Sequence, residues 1–133
     1  MDVLTATLLW EIFKNVRSWL ANLKRAGNTR KQQSIQALRG VITAARETAV
    51  YLRHIKESGK PNHQTEAHLA VLWTELGFAL QDIGINKLAK RCQIKGRLWS
   101  NPKQYDKDFI AKADVSLERM EQMARQILNQ VKQ

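Results

Sequence analysis

The side chains best suited to bond-making chemistry in this chain are His54, His63, His68, Cys92 and a scatter of carboxylates, and their spacing argues against catalysis. His63 and His68 are five residues apart, whereas two metal ligands on one helix face need a separation of three or four. There is no His-Glu-x-x-His run and no second cysteine to make a zinc pair. Asp106 and Asp108 lack the further carboxylates and glycine of a calcium loop. They suit the first turn of a helix, where negative charge meets the positive end of the helix dipole. Arg53 and His54 are adjacent, which does not fit the Arg-and-His spacing of small helical ribonucleases. The six glycines are scattered, so no glycine-rich phosphate loop exists. The best catalytic arrangement left is His68 with Glu75 or Asp82, and the expectation is a non-enzyme with no catalytic residue, no metal and no cofactor.

Charge is the more informative chemistry. The formal net charge is +10. From Ile12 to Arg46 the chain carries Lys and Arg but no Asp or Glu, and the same holds from Ile83 to Tyr105. Acid-free stretches cannot neutralise their cations through neighbours one turn away, so such surfaces point to an anionic partner. On helical wheels Trp10, Lys14, Arg17, Lys24 and Arg25 cluster beside the apolar stripe of the first helix. Arg39, Arg46 and Arg53 recur every seven residues, each just after a core position. Lys87, Lys90, Arg91 and Lys95 are expected to face away from Leu88, Cys92 and Trp99. These twelve residues form the candidate nucleic-acid-binding set. The cations would neutralise phosphates and release counterions, and Trp10 would stack on an unpaired base. The alternative use of the arginine row is cross-helix pairing with Glu118, Glu121 or Glu66. Trp10 and Trp99 are the tryptophans expected to be partly exposed or to seal a contact, and Trp19 and Trp73 those expected in the core.

The elements that must carry these residues are helices. Apolar residues recur at spacings of three and four, and no stretch alternates with a period of two. The reading places helices over about Val3–Ala26, Arg30–Ser58, His63–Asp82, Ile85–Trp99 and from Pro102 or Asp106 to the end. Gly27, Gly59 and Gly84 are stops, Asn28 or Thr29 and Asn62 are caps, and Ser100-Asn101-Pro102 reads as a cap with a first-turn proline. Ile35, Leu38, Ile42, Ala45, Ala49 and Leu52 form one seam. Ile110, Ala113, Leu117, Met120, Ala124, Ile127 and Val131 form another. Short loops make neighbours antiparallel. The expected fold is all-α: one domain over residues 1–133, an antiparallel up-and-down bundle of four to five helices with a short hairpin in the middle.

Cys92 has no disulfide partner and sits on an apolar side, where a buried inert thiol is expected. The absence of a disulfide suggests a reducing compartment, and no apolar run approaches spanning length, so the expected location is the cytoplasm. Five stripes in one chain suffice for a monomeric core, and a symmetric homodimer is the alternative use of the seams. Membrane-surface docking through Leu8, Leu9, Trp10 and Phe13 is a minor alternative.

Within residues 70–103, Trp73, Leu76, Gly77, Leu80, Gly84, Ala89, Gly96 and Pro102 resemble one tetratricopeptide repeat, a helix pair with the pattern Trp-x-x-Leu-Gly. The second helix lacks the usual aromatic, having Gln93 and Ile94 there. The proline falls one place late, and no second copy lies 34 residues away. The resemblance implies a tight helical hairpin and, by analogy, protein or peptide binding. Two functions are therefore expected: docking on nucleic acid or an acidic protein surface through basic helix faces, or an adaptor role for the Trp73–Pro102 hairpin.

Overall fold

The computed structural model describes residues 17–102 and 107–132, apart from the side chains of residues 107–109, 114 and 115. The described residues are helical, with no strand. Residues 17–26 form α1, followed by α2 (Asn28–Ser58), α3 (His63–Asp82), α4 (Asn86–Ser100) and α5 (Lys107–Lys132). The boundaries follow local chemistry. Gly59 closes α2 in the left-handed region, its N–H bonding the Ile55 carbonyl at 2.8 Å. The Asn62 side chain accepts the Thr65 N–H at 3.0 Å and opens α3. One start differs from expectation: α2 begins directly after Gly27 with no side-chain cap. Ser100 ends α4, its hydroxyl bonding back to the Arg97 carbonyl at 2.7 Å. The cap expected for α5 falls against residues 103–106, outside the described residues.

α2 is the central helix, flanked by α3 and α5, and α4 pairs with α3. Its partners reverse along each neighbour. Tyr51 meets Glu66, Thr48 meets Trp73 and Arg30 meets Asp82 on α3; on α5 Leu52 shares a groove with Ile110, Arg46 meets Glu121 and Lys31 shares a groove with Val131. The result is the antiparallel up-and-down bundle with a short α3–α4 hairpin.

The core needs two seams on α2, and only one is apolar enough to stand out in sequence. The first is the expected row, with Leu38, Ala45 and Leu52 buried and Ile35 and Ile42 packed at its edge; Ala49 is exposed. The second is Ser34, Ala37, Val41, Ala44, Thr48, Tyr51 and Ile55, all buried. Its polar members are satisfied inside the fold. Ser34 donates to the Arg30 carbonyl at 2.8 Å and Thr48 to the Ala44 carbonyl at 2.7 Å, while Tyr51 donates to the Glu66 carboxylate at 2.6 Å. A hydroxyl bonded this way is buried without the desolvation penalty of an unpaired one. Of the two outcomes expected for Trp99, the structure has the sealed contact: it is 2% exposed, with its ring edge-on to Tyr51 at 5.6 Å between centroids.

Small residues let α3 and α4 touch. A Cβ on Gly96 would lie 3.1 Å from the Thr74 backbone nitrogen and 3.2 Å from its Cα. One on Gly77 would lie 3.2 Å from the Ala89 carbonyl oxygen. Gly96→Ala is therefore expected to destabilise the protein by about 1–3 kcal/mol, because backbone must move, even though Ala is the better helix former. Gly40→Ala meets only the movable Leu76 Cδ2 end, 2.6 Å away. Its expected effect lies within about 1 kcal/mol of zero. Urea unfolding midpoints of the two variants make the comparison.

Candidate nucleic-acid interface

The candidate surface is built where α1 meets one end of the bundle. α1 is tied down by the Trp19 indole N–H, which donates to the Ile83 carbonyl at 2.6 Å. Beneath that ring Gly84 turns the chain at φ 86°, a conformation that a side chain would strain. Arg30, near the start of α2, donates from Nη1 to the Asp82 carbonyl at 2.9 Å. On the other flank Lys24 and Lys31 line a groove with Gln130 and Val131 of α5. The segments gathered here are thus α1, the first turns of α2 and α4, and the last turns of α3 and α5.

Those segments are rich in cations. α1 contributes Arg17, Lys24 and Arg25, all exposed. α2 contributes Arg30 and Lys31, and α4 contributes Lys87, Lys90 and Arg91. Lys132 adds another from the last turn of α5. Among the described residues of these segments Asp82 is the only carboxylate. No acid occupies the first turn of α2 or α4. α2 and α4 start at this end while α1, α3 and α5 finish here, so the helix dipoles supply no net positive charge and the cationic side chains set the sign of the field.

The expected site residues divide between this end and elsewhere. Trp10 and Lys14 lie outside the described residues. Arg30 and Lys87 line one cleft and Lys24 and Lys31 another, while Arg17, Arg25 and Lys132 lie on the same gathered segments and Lys90 and Arg91 follow one turn further along α4; Arg30, Lys31 and Lys132 were not singled out by the sequence alone. Arg39 is exposed part-way along α2. Arg46 bonds Glu121 across to α5 at 2.8 Å, and Arg125 approaches the same carboxylate at 3.7 Å. Arg53 sits 3.6 Å from Glu57 on its own helix. The seven-residue arginine row therefore serves pairing at two of its three positions.

Lys95 is a correction. It turns toward the core, with its ammonium 6.0 Å from the centre of the Trp73 ring, instead of facing outward. Burial pulls its pKa down to about 8, opposed by attraction to Cys92 and aided by repulsion from Arg91. Cys92 is buried and free of any disulfide. Burial pushes its thiol up to about 12, with Lys95 opposing. These shifts set a pH dependence. Between about pH 8 and 10.5 the unfolded chain holds a Lys95 proton that the folded chain has released, so stability rises with pH. Between 9.0 and about 12 the unfolded thiol ionises before the folded one, so stability falls. Thermal melts are expected to climb from about pH 7.5 to 9 and then level off. Lys95→Met removes the climb.

The histidines have separate surroundings. His68 pairs with Glu47 of α2 at 3.1 Å, not with Glu75 or Asp82, and His63 lies 3.4 Å from Glu66. His54 stacks on Tyr51 with centroids 6.2 Å apart. Among the described residues no group of three or more His, Cys, Asp or Glu side chains could hold a metal ion, and no helix is long and apolar enough to cross a membrane. No family model, curated protein or solved structure matches the chain. The functional reading therefore rests on its own side chains.

Proposed function

We propose that this protein is a non-catalytic binding protein that docks a nucleic acid on the basic end of its bundle. The observation that carries the reading is the gathering at one end of the bundle of the segments that bear Arg17, Lys24, Arg25, Arg30, Lys31, Lys87 and Lys132, with Arg30 and Lys87 lining one cleft, Lys24 and Lys31 another, and Asp82 and Glu75 the nearby carboxylates among the described residues. Cations fixed on several helices can engage several phosphates at once, and the released counterions drive binding. Such engagement positions a strand without reading its sequence. Protein interfaces have apolar centres, but among the described residues the exposed large apolar side chains, Val50, Val71, Phe78 and Ile94, lie on other segments. A polyanion suits the basic end better. We place the protein in the cytoplasm, where an unpaired Cys92 stays reduced, as a monomer or homodimer.

Fluorescence anisotropy with a labelled oligonucleotide tests the reading. A site engaging about six phosphates would lose about 10³-fold in affinity between roughly 50 and 200 mM salt. No binding at low ionic strength would remove the proposal.

One observation favours an adaptor role as a second reading. Val71, Phe78 and Ile94 are 56%, 57% and 53% exposed on the α3–α4 hairpin. Gly77 packs against Gln93. In an antiparallel pair the residues following two such facing positions, here Phe78 and Ile94, turn to the same side, and Val71 lies one heptad before Phe78. This apolar row, flanked by Lys90 and Arg97, suits an acidic amphipathic helix. Binding of such a peptide that Phe78→Ser/Ile94→Ser abolishes would support it, and no binding would dismiss it.

A further inference from the structure

We infer that the cleft between α1 and the α3–α4 turn receives an unpaired base, so that the nucleic acid held at the basic end is single-stranded. This deepens the docking reading above and rests on it. The cleft has a volume of about 670 Å³, within the range of about 300–1,000 Å³ usual for ligand sites. Trp19 forms one wall. Its N–H is already engaged by the Ile83 carbonyl, so what the ring offers a ligand is its π surface, held in place before binding. Asn22 and Asn86 line the same cleft, and each amide carries a donor and an acceptor of the kind that pairs with a base edge. Arg30 and Lys87 line it as well and place positive charge where flanking phosphates would run.

An aromatic wall beside cations is how sequence-tolerant single-strand binders work, because every base has a face to stack. A duplex keeps those faces inside its own stack and shows only base edges in its grooves. It would touch the rim cations and leave the cleft empty.

The test compares a labelled mixed-sequence oligonucleotide of about 20 nucleotides, alone and annealed to its complement, against the full chain at about 50 mM salt. Trp19→Leu and Trp19→Phe both lose the N–H that ties α1 to Ile83 and are expected to weaken duplex binding to the same extent, whereas single-strand binding is expected to be a further about 5- to 150-fold weaker in Trp19→Leu than in Trp19→Phe, which keeps an aromatic face. Trp19 also packs on Ile83 and Gly84, so a second readout avoids the destabilised variant. Single-strand binding should quench indole emission in the native protein, and most of that quenching should vanish in the conservative Trp19→Phe protein. Equal affinity of the native protein for the two forms, or equal single-strand affinity in Trp19→Leu and Trp19→Phe, would overturn the inference and leave basic-end docking intact. Binding of neither form would overturn the docking reading itself.

Discussion

Replacing Trp73 by Ala is expected to lower the unfolding free energy by about 3–5 kcal/mol, the usual range for deleting a large aromatic from a core. Trp73 is fully buried between α2 and α4, and its indole N–H donates to the Thr48 hydroxyl at 2.9 Å. Truncation would leave a void with little freedom to close. Gly77 and Gly96 already bring α3 and α4 together at backbone distance, so those helices cannot move closer. The Lys95 ammonium would also be deprived of the ring beside it. A domain of this size is stable by about 5–15 kcal/mol, so the variant should be marginal near body temperature. Trp73→Phe separates the contributions. It keeps much of the volume and removes the hydrogen bond, and the Thr48 hydroxyl remains satisfied as a donor to Ala44, so the expected cost is nearer about 1–2 kcal/mol. Urea denaturation read by circular dichroism measures both, and equal losses would show that volume is not the controlling quantity.

The second large effect concerns binding. Converting Lys24, Arg25, Lys31 and Lys132 to Gln removes charge from α1, α2 and α5 at the basic end. Oligonucleotide affinity at about 50 mM salt is expected to fall by about 10- to 1,000-fold, and the salt slope to flatten by about 0.7–0.9 for each phosphate no longer neutralised. The melting temperature should hold or rise, since like charges have been thinned. The matching control converts Arg46, Arg53 and Arg125, which sit beside Glu121 and Glu57. These are exposed pairs, worth about 0–1 kcal/mol each, and they lie outside the proposed surface. Their removal should change affinity less than the basic-end set does. The reverse order of effects would move the interface to the arginine row of α2.

Much of the architecture was legible in the residues. Helix type and boundaries follow from three-four periodicity, from Gly59 and from the Asn62 cap, all local properties. The seam of α5 could be read directly because its members are apolar. The second seam of α2 could not, because Ser34, Thr48 and Tyr51 interrupt it. Their burial depends on carbonyl and carboxylate partners supplied by the folded chain. The same limit applies to Trp99, whose burial against Tyr51 reflects a partner far away in sequence.

The candidate surface divides in the same way. Composition and the two acid-free stretches established that cations outnumber local carboxylates, since neighbours one turn away are read straight from the chain. Which cations face one another depends on long-range register, which is invisible in any one helix. Up-and-down topology sends the starts of α2 and α4 and the ends of α3 and α5 to the same place, and the Trp19–Ile83 bond brings α1 there too. That arrangement adds Arg30, Lys31 and Lys132 to the basic end. It leaves Arg46 beside Glu121 and folds Lys95 onto Trp73, because only the packed bundle sets a charge beside its distant neighbours.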